Sequence, residues 1–145
     1  MQNNKPPVPK EIDQLLEALA YRMGDAYRAG DGAQWSELSE QSWDLLPNPK
    51  TEWDYHPQTI SRAFVEVASA MGLCSELDVW IDRMYATHFD LERQSEYTNL
   101  IAGHALFQCN RKDEAIVLFK HVLTNHGPQW FMGDYRPYLE MAEKS

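Results

Sequence analysis

Cysteine is scarce in this chain: of 145 residues only Cys74 and Cys109 are cysteines, and they lie far apart. Neither stands in a Cys-x-x-Cys or Cys/His ligand spacing, so the expectation is two reduced, buried thiols rather than a metal site or a disulfide framework. Long apolar runs are missing too. No stretch approaches the ~20 residues that cross a bilayer, and Met1 to Pro9 is polar and proline-containing, without the apolar core of a signal peptide. The expected location is therefore cytoplasmic, with no membrane partner. Positive charge is in short supply, with 13 Lys and Arg against 22 Asp and Glu, a net charge of −9 and a pI near 4.9. That balance argues against nucleic acid, whose phosphates are bound by clustered Lys and Arg. It suits a basic protein partner, although acidity also serves solubility alone.

The sequence lacks the usual signatures of catalysis as well. His56, His88, His104, His121 and His126 include no His-Glu-x-x-His or similar ligand pair at helical spacing. His121 and His126 are too far around a helix to share a face well. Carboxylates are so numerous that a close Asp/Glu pair is expected by chance and identifies no acid/base couple. With no glycine-rich phosphate loop, nucleophile elbow or Cys/His pattern, the expectation is a protein that is not an enzyme and holds neither cofactor nor metal. A hydrolase using clustered carboxylates is the remote alternative.

What the sequence does have is helical periodicity almost throughout. Ile12, Leu15, Leu16, Leu19, Met23 and Tyr27 mark one apolar stripe between Pro9 and Gly30, predicting a helix over Lys10 to Ala29. Asp31 with Gln34 forms a capping-box pattern for a second helix, Ala33 to Leu46, stopped by Pro47 and Pro49. Pro57 suits the first turn of a third helix ending at Gly72. A fourth is expected near Ser75 to Thr87, a fifth from after Asp90 to about Gln108, and a sixth from Lys112 to Asn125. Short connections pair first with second, third with fourth and fifth with sixth as antiparallel neighbours. Residues 10–145 thus read as one helical domain behind a flexible tail of residues 1–9.

In the third hairpin Gly103, Ala115 and Phe119 recur at a spacing that lets two helices approach where facing side chains are small, with a large apolar residue one turn on. This pattern resembles a tetratricopeptide repeat. The second hairpin carries Val65, Leu77 and Ile81 at those places, and the first recovers only Gly24 and Tyr27, so the repeat is degenerate. Hairpins of roughly 35 to 40 residues fit a solenoid period. The resemblance implies an all-α, right-handed antiparallel helix-hairpin stack of about three hairpins plus a C-terminal capping helix, with an orthogonal helical bundle as the alternative. The ending Gly127, Phe131, Gly133, Asp134, Tyr138, Leu139 is similar to that of small bacterial helical-repeat proteins, many of them encoded beside polymorphic toxins as immunity proteins. This likeness implies a cytoplasmic protein that neutralises a cognate, basic toxin domain in a tight one-to-one complex. An adaptor or chaperone that binds a peptide or secretion substrate in its concave groove is the alternative.

Two candidate binding surfaces follow. Tetratricopeptide geometry puts the first helix of each hairpin on the concave groove, which implies Tyr21, Asp25, Arg28, Arg62, Glu66, Ser69, Tyr97, Leu100 and His104 as lining residues; Tyr21, Tyr97 and Leu100 read equally as core. The other surface is the loop Trp53, Asp54, Tyr55, where aromatics beside acidic groups combine anchoring with steering of a basic partner. There the competing reading has Trp53 folding back between the first two hairpins.

Overall fold

Residues in left-handed backbone conformation mark the turns after several of the helices. After Ala29, Gly30 takes φ 67°, its N–H bonds the Tyr27 carbonyl at 3.1 Å, and the Asp31 N–H bonds the Ala26 carbonyl at 2.9 Å. This is the Schellman arrangement, and glycine adopts it without the steric penalty a side chain brings. The same bond pair recurs around Gly72, Phe89 and Asn110, each with positive φ. The computed structural model describes residues 4–145. Its helices are α1 (Lys10–Ala29), α2 (Gly32–Leu45), α3 (His56–Val67), α4 (Leu77–Thr87), α5 (Glu96–Gln108), α6 (Lys112–His126) and α7 (Arg136–Lys144), with no strand among the described residues.

Packing follows chain order. The dominant contacts join α1 to α2, α3 to α4, α5 to α6 and α6 to α7, while α3 also meets α5 and smaller contacts link α2 to α3 and α4 to α5. At the centre Phe64 of α3 stacks on Trp80 of α4 at 4.5 Å, and Trp43 of α2 meets Trp80 edge-on at 5.9 Å. Arg83 lies over both indoles and forks onto Glu40 with two bonds of 3.1 Å, tying α4 to α2. Two close approaches use glycine. A Cβ at Gly103 would stand 2.5 Å from the ring of Phe119, and one at Gly32 would stand 2.1 Å from the Met71 carbonyl oxygen. The first seats α5 on α6, and the second presses the start of α2 on the turn after α3. Phe119 also stacks on Tyr138 at 4.3 Å, so α7 covers the buried face of the preceding pair.

Several expectations need correction. Cys74 and Cys109 are not reduced thiols but a disulfide, with Cα atoms 5.6 Å apart across a separation of 35 residues. It joins the turn between α3 and α4 to the turn between α5 and α6. The third helix ends at Val67 rather than Gly72, the chain between them running through turns. The fifth begins at Glu96, capped by Ser95, because the buried carboxylate of Asp90 is occupied by the Gln94 and Ser95 N–H groups and the Thr98 hydroxyl. Only half of the capping box forms: Asp31 accepts from the Gln34 N–H at 3.0 Å, but the Asp31 N–H is committed to Ala26. Of the expected tail, residues 5–8 lie against the body. Val8 is buried, the Asp54 N–H bonds the Pro6 carbonyl at 2.8 Å, and Lys5 bonds the Thr51 carbonyl and lies over the Phe89 ring.

Candidate functional site

On α1 part of the apolar stripe reaches beyond α2. Leu16, Ala20, Met23 and Tyr27 follow one another at three- and four-residue steps and face Ile60, Ala63 and Val67 of α3 across a cleft of about 570 Å³. Trp35 and Ser42 of α2 also line it. The walls are almost wholly apolar and polar groups gather at the rim. At one end His56 Nε2 meets Asp13 Oδ1 at 2.6 Å; at the other Arg28 pairs with Asp25 at 2.5 Å in the open. Glu17 sits on the α1 rim between them and makes no ion pair among the described residues.

The loop before α3 supplies the exposed aromatic at one end of this cleft. Tyr55 has φ 69° and ψ −65°, and the His56 N–H bonds the Asp54 carbonyl at 2.8 Å, which is a γ-turn of the strained hand. A bulky residue there costs of order 1–3 kcal/mol, a cost that concentrates at functional positions. The Tyr55 side chain is 61% exposed and its ring meets His56 edge-on at 5.0 Å. Asp54 is exposed beside it. Trp53 behaves differently: it is half-buried against the core and its indole N–H donates to the Pro47 carbonyl at 2.8 Å. Trp53 is therefore packed inward, while Asp54 and Tyr55 stand exposed in this loop.

A more polar stretch follows where α3 meets α5 and His104 of α5 reaches Tyr138 of α7. Arg62 and Glu66 approach to 3.9 Å on α3. His104 Nδ1 and the Tyr138 hydroxyl share a bond of 2.6 Å, with Tyr135 edge-on to the imidazole at 5.7 Å. Burial lowers the His104 pKa against the raising influence of Asp134 and Glu66. Burial likewise raises the Tyr135 and Tyr138 pKa values, with nearby carboxylates adding to it. His88, against Tyr97 at 5.8 Å, is lowered first by burial, opposed by its bond to the Met84 carbonyl, then further by Arg62 and Lys5. These directions favour the neutral imidazole and the protonated phenol.

The residues implied by groove geometry thus divide. Arg28 borders the cleft, and Tyr21, 81% exposed, lies on a shallower depression shared with Glu17, Ala20, Gly24 and Arg28. Asp25 is engaged with Arg28, and Arg62, Glu66, Tyr97 and His104 belong to the polar stretch. Ser69 instead donates to the Gln108 carbonyl at 3.2 Å, and Leu100 is core. Sequence reasoning read Tyr27, Ile60 and Ala63 as ordinary helix-face residues and did not assign them, or Ala20, to a binding surface. The stripe on α1 carried the signal, being wider than one neighbouring helix needs. Among the described residues no group of three or more His, Cys, Asp or Glu side chains could hold a metal ion, and no helix is long and apolar enough to cross a membrane. No family model matches the chain, and no curated protein and no solved structure is detectably similar to it.

Proposed function

We propose that this chain binds another protein through the face built by α1, α3 and α5, and that it is not an enzyme. The observation that carries the reading is the open apolar cleft between α1 and α3, bordered by exposed Tyr27 and Tyr55 and by α1 carboxylates. An apolar centre ringed by tyrosines and charge is the composition of a protein-binding surface.

In its sharpest form the protein is an immunity protein. It forms a tight one-to-one complex with a basic toxin domain, and the net charge of −9 hastens capture. A tetratricopeptide-like stack is the architecture in which we place it. Pairwise packing of successive helices, the same turn at Gly30, Gly72 and Asn110, and the abutting turns at Gly32/Met71 and Cys74/Cys109 support that placement. The disulfide favours work in an oxidising compartment over the cytoplasm, where thiols are kept reduced.

Co-expression with the product of the adjacent gene, capture on a tagged copy and a growth assay test this function. A stable complex that rescues growth is expected; no complex and no rescue would contradict it. The adaptor reading predicts instead that isolated peptides bind without a folded domain.

A further inference from the structure

The cleft between α1 and α3 also indicates what part of a partner it receives, an inference that rests on the protein-binding reading. Two neighbouring pairs close against each other through α3 and α5, whereas α1 leans on α2 and stands across the cleft from α3. The α1 residues lining it run from Asp13 to Arg28, a length of about 22 Å at the helical rise of 1.5 Å per residue. That is about four turns of helix and longer than a compact small molecule requires. Leu16, Ala20 and Met23 on one wall and Ile60 and Ala63 on the other offer nothing but apolar surface. Trp35, also in the wall, buries an indole N–H with no hydrogen-bond partner among the described residues.

Charge at the rim selects among apolar occupants. Arg28 is neutralised by Asp25, His56 is shared with Asp13, and Glu17 makes no ion pair among the described residues. The α1 edge is therefore net negative. We infer that the cleft takes one amphipathic helix of the partner protein, its apolar stripe between α1 and α3 and its Lys or Arg residues along Glu17 and Asp13. Helix-in-groove recognition of this kind needs an apolar trough and a charged edge, and both are present.

The test titrates the full chain, labelled at methionine and isoleucine methyl groups, with an amphipathic helical peptide of leucine and lysine and with its leucine and glutamate counterpart. Shifts at Met23 and Ile60 are expected, with the lysine peptide binding about tenfold more tightly at low salt. Ala20→Trp, at an exposed position on the cleft wall, is expected to weaken that peptide about tenfold with unchanged helicity and melting temperature. Glu17→Lys, which alters only a rim charge, is expected to abolish most of the preference between peptides. Equal binding of the two peptides, or full affinity in Ala20→Trp, would overturn the inference. Capture of the native partner by Ala20→Trp as strong as by wild type would overturn the cleft assignment while leaving the protein-binding function standing. Peptide docking with no capture of the adjacent gene's product would do the reverse.

Discussion

Tyr55 is the residue whose conformation and position conflict most. Its backbone sits at φ 69° while its ring is mostly exposed and meets only the neighbouring His56 among aromatic rings of the described residues, so burial does little to offset the strain. Tyr55→Gly relieves the strain and is expected to raise stability by about 1 kcal/mol, measured by chemical denaturation, while weakening partner binding. A variant less stable than wild type would count against the strain. Gly103 makes the opposite case. Alanine gains roughly 1 kcal/mol in helix propensity, but its Cβ would stand 2.5 Å from the Phe119 ring, which stacking on Tyr138 prevents from yielding. Overpacking costs about 1–3 kcal/mol, so Gly103→Ala is expected to be net destabilising in the same assay. His88 and His104 set a pH dependence. Their folded pKa values lie below the ordinary histidine value, so the unfolded chain binds protons first as pH falls. Stability is full above about pH 6.5 and declines as pH drops through the lowered folded values. Denaturation midpoints at successive pH values check this, and His88→Gln is expected to flatten the decline.

At the scale of elements, turn chemistry decides what the sequence reveals. The bounds of α1 were legible because Pro9 and Gly30 flank an unbroken stripe. The start of α5 was not, because Asp90 looks like a cap but spends its carboxylate inside a loop, where Phe89 and Arg93 take positive φ without being glycine. The disulfide was hidden for another reason. Cys74 and Cys109 meet only because two helix pairs pack with their turns together, and no local spacing encodes that. Closing a loop of 35 residues removes unfolded-chain entropy worth about 3–4 kcal/mol. The double variant Cys74→Ala/Cys109→Ala is therefore expected to lose up to that much stability and to keep its helicity. A change well under 1 kcal/mol would show that the bridge does not restrain the unfolded chain as this account requires.

Across the whole molecule the all-helical class was readable from periodicity, while the candidate site was readable only in part. Arg28, Asp54 and Tyr55 were identified and border the cleft or its loop, whereas Trp53 and Leu100 proved to be packed inward. Apolar residues of one helix look alike in sequence whether they meet α2 or a partner, because periodicity records burial potential and not what supplies the burial. The direct test of the central claim is hydrogen exchange on the complex with its captured partner, compared with the free chain. The account predicts added protection in α1 and in residues 55–67, with little change in α4 and α6. Protection confined to α4 and α6, with α1 and α3 unchanged, would contradict it.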